Sequence, residues 1–373
     1  MSRSAHRDDF FQTTASLEES DRKAAKSRNT AGNPIRLQSK ILAVAADPTR
    51  NGFVYVAESA GAVRRVALET GESDAVFRGP TAPVTSLCFS PDGKLLFAGS
   101  WDKTVWSWDI ATRQPRTRYQ GHADFVKSVT AARVGGQDVL ISGGSDAEII
   151  VFDIASGSRL HVLKGHARGI QDLAIDPVSL ESDGSKLVLF SAGSNREIRR
   201  FNIPPHTGDL SDADALLAHE TSVYKLFFDA DGDLWTASAD KTAKCLIRDS
   251  DWKPDLVLQH PDFVRDVVVH DPWVITACRD EEVRVWNKAT GELYHTFSGH
   301  FEEVTGLLLV GTTVVSVSID ATIRQWSLKP DDLQRAKEES QKKKPEGEEA
   351  PQQESMLTEE EERELAELMA DDD

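Results

Sequence analysis

The sequence predicts an all-β fold in which one structural unit of about 40 residues is repeated seven times. Three observations lead to this prediction. Short runs of Val, Ile, Leu and Phe alternate with turns rich in Gly, Asp, Asn and Ser through the middle of the 373-residue chain. No long helical period interrupts these runs. Two short markers recur among them at a nearly constant spacing, which indicates an internal repeat.

The segment before the repeats, residues 1–33, is polar and has little apolar periodicity apart from the run DDFFQ. A segment of this composition buries too little apolar surface to offset its loss of conformational entropy. We therefore expect a disordered N-terminal arm.

The segment after the repeats, residues 329–373, holds 17 acidic and 7 basic residues and is expected to be an acidic, disordered tail. One part of it has helix signals. Thr358 is a plausible N-cap with Glu361 as its capping-box partner, and a short apolar stripe follows within residues 358–369. The stripe consists of Leu365, Leu368 and Met369. Two interpretations stay open, a helix that docks separately on a partner and a tail that only increases solubility.

The first repeat marker is a turn aspartate followed six residues later by a large apolar residue. It is seen between strand-like runs such as VTSLCFSPDGKLLFAGS, WVITACRD and TTVVSVSID. The pairs, including weaker copies, are Ala60–Val66, Asp102–Trp108, Asp146–Phe152, Asn195–Phe201, Asp240–Leu246, Asp280–Trp286 and Asp320–Trp326. Seven copies of one marker predict seven equivalent strands.

The second marker is the dipeptide Gly-His, or a degenerate form of it, which precedes each set of strands. It ends at His122, His166 and His300, and in weaker form at Pro80, His219 and His260. The units are nearly equal in length except for one, which carries the inserts VSLESDGSKL and PPHTGDLSDADA.

The two markers in register resemble the WD-repeat family, and the resemblance covers nearly all of residues 34–328. It implies a seven-bladed β-propeller with four antiparallel strands in each blade. No strand follows Trp326, so the last blade lacks its outermost strand. The resemblance implies that the N-terminal segment, about residues 34–39, supplies that strand and closes the ring.

The recurring His, Ser or Thr, and Asp residues superficially suggest catalytic triads. The family resemblance implies instead a structural tetrad, a hydrogen-bonded chain from the marker histidine through a strand Ser or Thr and the turn Asp to the strand Trp. Two blades match it fully: His260–Thr276–Asp280–Trp286 and His300–Ser316–Asp320–Trp326. The other histidines show no metal-ligand spacing, so neither a metal nor a cofactor is expected.

The resemblance also implies which positions face a partner. They are the residue before the turn Asp and the third and fifth residues after the marker histidine. Aromatic and basic residues at these positions are the candidate contacts, because such residues dominate binding hot spots. They are Trp101, Phe125, Lys127, Tyr224, Phe263, Arg265 and Arg279. Trp101 is the strongest candidate, since its counterparts in other repeats are mostly small.

Composition excludes several function classes. A net charge of −18 argues against a general binder of nucleic acid or anionic membranes. Three scattered cysteines suit a reducing compartment, and neither a signal pattern nor a membrane-spanning apolar run occurs. We expect a soluble protein of the cytoplasm, the nucleus or both.

The function these observations favour is a non-catalytic scaffold or adaptor that binds a peptide or a partner subunit within a multiprotein complex. The alternative is a subunit of an RNA-processing or ribosome-assembly particle that contacts RNA directly. Lys127, Arg265 and Arg279 are a small basic set for that role. The identity of the complex and the oligomeric state stay open.

Overall fold

A computed structural model of the protein describes residues 14–181, 186–204 and 215–343. The repeats form seven antiparallel sheets, which we call blades 1 to 7. Blade 1 contains β2 (Ile41–Ala46), β3 (Phe53–Glu58), β4 (Ala62–Ala67) and β5 (Ser73–Arg78). Blade 2 contains β6 (Val84–Phe89), β7 (Leu95–Ser100), β8 (Thr104–Asp109) and β9 (Pro115–Gln120). Blade 3 contains β10 (Val126–Val134), β11 (Gln137–Gly144), β12 (Ile149–Asp153) and β13 (Arg159–Leu163).

Blades 4 to 7 complete the set. They contain β14 (Ile170–Ile175), β15 (Leu187–Gly193) and β16 (Ile198–Ile203); β17 (Val223–Phe228), β18 (Leu234–Ser238), β19 (Thr242–Ile247) and β20 (Lys253–Gln259); β21 (Val264–His270), β22 (Trp273–Cys278), β23 (Glu282–Asn287) and β24 (Leu293–Ser298); and β25 (Val304–Val310), β26 (Thr313–Ser318), β27 (Thr322–Ser327) and β1 (Ile35–Arg36). The predicted all-β, seven-bladed propeller is confirmed. The expected four strands per blade are not all seen, since blade 4 has three strands among the described residues and a single bridge of Ile198 to Leu216 beside them.

Strand composition follows the position of each strand in its blade. The second strand packs against neighbouring blades on both faces, and β7, LLFAGS, is therefore buried at every residue. The outermost strand has one wet face, and β24, LYHTFS, alternates between buried and exposed residues. Apolar side chains fill the spaces between blades; Tyr55, Phe77 and Trp108, for example, form one cluster between blades 1 and 2. Each innermost strand contacts the innermost strands of both neighbouring blades, so the ring is closed.

Blade 7 is built from both ends of the propeller sequence. Strand β1 pairs antiparallel with β27, with Ile35 opposite Ile323 and Arg36 opposite Thr322. Just before β1, Gly32 adopts φ +71° against the indole of Trp326. A Cβ atom there would lie 2.7 Å from the Trp326 ring, so this close passage requires glycine.

The structure has a helix in each of the two terminal segments whose composition predicts disorder. The N-terminal one, α1 (Thr14–Lys26), has no apolar stripe that would predict it; charge contacts with the propeller hold it instead. Arg22 and Lys26 each lie 2.7 Å from the carboxylate of Glu281, which is buried. A short helix, α2 (Pro177–Glu181), lies between β14 and β15.

Helix α3 (Pro330–Lys343) begins the acidic C-terminal segment. It starts with a proline and has two aspartates in its first turn, an arrangement that favours a helix N-terminus. The predicted helix over 358–369, with Leu365, Leu368 and Met369, lies outside the described residues. No helix in the described part of the chain has the length and apolar character needed to cross a membrane.

Candidate protein-binding face

One backbone irregularity recurs at the same place in all seven blades. The register of each innermost strand shifts at the fifth residue after the marker histidine or its equivalent. A β-bulge of this kind re-aims the side chain of the extra residue. The seven bulged residues are Leu42, Thr85, Lys127, Gln171, Tyr224, Arg265 and Thr305, and all of them line one cavity of about 390 Å³ at the centre of the ring.

The other two predicted contact positions are joined to each other in every blade. The backbone N–H before the turn Asp donates to the carbonyl oxygen of the third residue after the histidine, as between Trp101 and Pro83 at 3.0 Å and between Arg279 and Phe263 at 2.8 Å. These bonds hold the two turns of each blade together at the cavity mouth. We call this end of the ring the channel face.

Trp101, Phe125 and Lys127 form one cluster on the channel face. The rings of Trp101 and Phe125 stack with centroids 5.0 Å apart and an interplanar angle of 17°. Lys127 Nζ lies 5.0 Å from the centroid of the Trp101 ring. The Phe125 side chain is 37% exposed, so the stack remains open to a partner. Within the described ranges, the buried Trp101 Nε1 has no acceptor.

The remaining four predicted residues form two further pairs of an aromatic ring with a cation. The Arg265 guanidinium lies 4.2 Å from the Tyr224 ring centroid, and its Nε lies 2.7 Å from Glu303 Oε1. The Arg279 guanidinium lies 5.1 Å from the Phe263 ring centroid. The structure therefore places all seven predicted contact residues on the channel face. Trp101 lines the central cavity, whereas Phe125 and Phe263 are not among the described residues that line it, so these three rings do not enclose one pocket.

The floor of the cavity holds three charged residues that the sequence analysis missed. Lys225 Nζ lies 3.3 Å from Asp172 Oδ2. Asp172 accepts the N–H of Leu226 in the next blade at 3.0 Å, and Asp266 accepts the N–H of Leu307 in the next blade at 2.8 Å. Burial raises the pKa of Asp266 to about 6, while attraction to Asp172 raises the pKa of Lys225. Charged residues inside otherwise apolar strands, directly after the bulge, were the available signal.

The structural tetrad is complete in blade 7. His300 Nδ1 lies 2.9 Å from Asp320 Oδ2, and His300 Nε2 lies 2.7 Å from Ser316 Oγ. Trp326 Nε1 donates to the same Ser316 oxygen at 2.8 Å. Ser316 is completely buried, so this Ser-His-Asp arrangement has no access to a substrate.

The tetrad implied for blade 6 is wrong at one link. His260 and Trp286 both bind Thr276 Oγ1, at 2.8 and 2.9 Å. His260 Nδ1, however, bonds the carbonyl oxygen of Leu258 at 3.1 Å in place of Asp280. The Arg284 guanidinium takes the Asp280 carboxylate at 2.5 and 3.1 Å, and a bidentate ion pair competes well against a single imidazole. Burial, together with the charge of Arg284, lowers the pKa of His260 to about 4.

Comparison with known proteins decides the family. The WD domain, G-beta repeat model matches residues 71–109, 252–287 and 291–327. An uncharacterized WD repeat-containing protein of Schizosaccharomyces pombe is 34% identical over 335 residues, which cover 86% of this chain and 88% of that protein. The chain belongs to the WD-repeat family. WD-repeat propellers generally act as scaffolds for protein interactions.

Other relatives match over smaller shares of their own length. Pre-mRNA-processing factor 19 of Bos taurus is 25% identical over 177 residues, 45% of this chain and 32% of that protein. The human kinesin-like protein KIF21A is 23% identical over 285 residues, 75% of this chain and 14% of that protein.

Two cysteines of this WD-repeat protein lie in surroundings that make their thiols poorly reactive. Burial raises the pKa of Cys245 and of Cys278 to about 12, so neither thiol is a ready nucleophile. The described segments hold no group of three or more His, Cys, Asp or Glu side chains arranged for a metal ion.

Proposed function

We propose that the protein is a non-catalytic scaffold or adaptor of a multiprotein complex, and that it binds a peptide or partner subunit on the channel face. The observation that carries this proposal is the set of three ring-and-cation pairs on the channel face, Trp101–Lys127, Tyr224–Arg265 and Phe263–Arg279, of which the first two line the central cavity. Aromatic rings bury a large area at low entropic cost, and arginine binds bidentately, so such groups concentrate binding energy. The complex would be cytoplasmic, nuclear or both.

The state of the polar groups supports a non-catalytic role. Ser142, Thr236 and Ser316, which bond the marker histidines of blades 3, 5 and 7, are fully buried. Their geometry serves the cohesion of each blade, since both ring nitrogens of His122, His219 and His300 are hydrogen-bonded.

A second candidate is a subunit of an RNA-processing particle that contacts RNA directly. The likeness to pre-mRNA-processing factor 19 favours it, and Lys127, Arg265 and Arg279 lie on one face. The salt bridge of Arg265 with Glu303 and the net charge of −18 weigh against it. RNA contact predicts an affinity that falls steeply with salt concentration.

The decisive experiment is affinity purification with mass spectrometry on the full-length chain carrying Trp101→Ala with Arg265→Ala. We expect the main partner to be lost while the thermal melting curve stays nearly unchanged. The matched control is Trp273→Ala with Arg133→Ala. Both residues lie at the ends of their strands, β22 and β10, that point away from the channel face. Retention of all partners by the channel-face variant would exclude this face.

A further inference from the structure

Three aromatic rings on the channel face each contact a cationic side chain of the protein itself. Lys127 lies over Trp101, Arg265 over Tyr224 and Arg279 over Phe263. A face that recognises a cationic ligand, such as a methylated lysine, needs aromatic surfaces arranged around an unfilled space. Here protein cations occupy those positions, and they would repel an incoming positive charge. What this face offers a ligand is therefore positive charge beside apolar surface.

Lys127 differs from the two arginines in having no carboxylate within salt-bridge distance among the described residues; Asp124 attracts it only from farther away. Arg265 lies 2.7 Å from Glu303, and Arg279 lies 3.9 Å from Asp262. In the part of the chain that the structure describes, Lys127 Nζ has no hydrogen-bond or salt-bridge partner. Burial, together with the positive charge of Arg265, lowers the pKa of Lys127. A half-buried ammonium without a directly paired anion is costly, and a carboxylate from a ligand would relieve that cost.

The apolar surface next to Lys127 defines the rest of the subsite. The Trp101–Phe125 stack flanks the ammonium, and Phe125 is one of the few large apolar side chains exposed in the described residues. Trp101 Nε1 adds a second donor without an acceptor in the same cluster. One carboxylate and one neighbouring apolar side chain would match this set.

We infer that the channel face binds an acidic peptide segment, in which an Asp or Glu carboxylate pairs with Lys127 while an adjacent apolar or aromatic side chain packs on the Trp101–Phe125 stack. This inference rests on the proposed function, because it names the partner chemistry of the same face. A single unpaired cation beside two rings suits one carboxylate. A nucleic-acid backbone requires a row of cations along its phosphates, and two of the three here are already engaged.

Glu303 is the resident anion that an acidic ligand must compete with. It occupies the third position after the histidine of blade 7 and neutralises Arg265 on the cavity rim. Removing its charge would leave Arg265 available as a second site for a carboxylate. Lys127→Gln and Glu303→Gln should therefore change peptide affinity in opposite directions, which a purely structural role of either residue does not produce.

The test is selection of random displayed peptides on the full-length protein, followed by affinity measurement of the enriched synthetic peptides. We expect enrichment of Asp or Glu next to Trp, Phe or Leu. Lys127→Gln should weaken binding by about tenfold, Lys127→Arg should retain it, and Glu303→Gln should strengthen it. Melting curves of each variant check that the propeller remains folded.

The outcomes separate the two proposals. Enriched basic or uncharged peptides that depend on Trp101 would overturn the acidic-ligand inference and leave the proposed face intact. If the enriched peptides bind the variant Trp101→Ala with Arg265→Ala as tightly as the unchanged protein, the channel face is not the binding site. Displacement of the selected peptide by a fluorescent single-stranded RNA, with an RNA affinity that depends on Lys127, would overturn the inference in favour of RNA.

Discussion

Blades 6 and 7 carry equivalent tetrad residues at the same offsets, with Thr276 in one where the other has Ser316, yet their hydrogen-bond chains differ. In blade 7 the turn aspartate, Asp320, bonds His300 at 2.9 Å. In blade 6 the equivalent Asp280 is held by Arg284, and His260 turns to the backbone of Leu258. The motif alone therefore does not determine which partner the aspartate takes.

The residue four positions after the aspartate explains the difference. It is an arginine in both blades, Arg284 and Arg324. Arg324 is completely buried and donates to the carbonyl oxygens of Ala31 and Asn29 in the N-terminal segment, which leaves Asp320 for His300. Arg284 has no such backbone acceptors within the described ranges and takes the carboxylate of its own blade.

Other blades follow the same rule. In blade 2, Trp106 lies four residues after Asp102 and donates its indole N–H to that carboxylate at 3.0 Å. In blade 5, Lys244 is drawn away to the carbonyl oxygen of Ala218, and Asp240 bonds His219 at 2.8 Å. In blade 3 the position is the apolar Ile150, and Asp146 bonds His122 at 3.0 Å.

Deleting residues 1–39 should have the largest effect, because it removes β1 and both carbonyl partners of Arg324. Loss of the buried Ile35 side chain and stranding of a buried guanidinium should lower the free energy of unfolding by more than about 3 kcal/mol. Urea unfolding followed by tryptophan fluorescence measures this. Deletion of residues 1–26 keeps those contacts and opens Glu281 to solvent as its partners Arg22 and Lys26 are removed, so it should cost far less; equal losses would contradict this account.

The two turn aspartates should differ when each is replaced by alanine. Asp320 has a completely buried side chain and accepts from His300, Phe301 N–H and Thr322, so Asp320→Ala should cost about 2–4 kcal/mol. Asp280 is partly exposed and serves mainly Arg284, so Asp280→Ala should cost about 1–2 kcal/mol. Urea unfolding of the two variants measures both losses, and a larger loss in Asp280→Ala than in Asp320→Ala would refute the comparison.

Blade 4 provides a pH test, because Asn195 replaces the aspartate and His166 Nδ1 has no partner among the described residues. Burial and the charge of Arg199 lower the pKa of His166 to about 4. The unfolded chain binds this proton near pH 6.5, whereas the folded chain does so only near pH 4, so stability falls as the pH drops between these values. The native protein should lose about 1–3 kcal/mol more over this interval than His166→Asn. Parallel pH profiles of the two proteins would exclude this role.

Arg284→Ile should have the smallest effect on stability and the most specific one on structure. The substitution gives position 284 the isoleucine that blade 3 has at the equivalent position, Ile150. Asp280 then has no guanidinium partner and can bond His260, so the pKa of His260 should rise from about 4. A histidine-selective NMR titration detects the change. Lys244→Ile is the matched control, since Asp240 already bonds His219 there; an unchanged His260 titration in Arg284→Ile would show that another constraint holds the ring.

The fold was predictable from the sequence because its markers repeat in register, and seven copies of Asp102–Trp108-type pairs leave little ambiguity. The positions of the channel-face residues were predictable for the same reason, since the family assigns these positions by offset, and their role in binding stays a prediction. Helix α1 was not, because its partners Glu281 and Glu302 lie far away in sequence. The partner of Asp280 was not predictable either, since it depends on whether a distant backbone segment captures the neighbouring arginine.

The pairing of β1 with β27 also sets an order of events during synthesis. Ile35 leaves the ribosome well before its partner Ile323, which belongs to the last strand of the propeller. Blade 7 therefore cannot be completed until almost the whole ring has been made, and the innermost strand of blade 1 waits for its neighbour in blade 7. Such a long-range closure is slow and leaves sheet edges exposed meanwhile, so the incomplete ring is the state most open to aggregation.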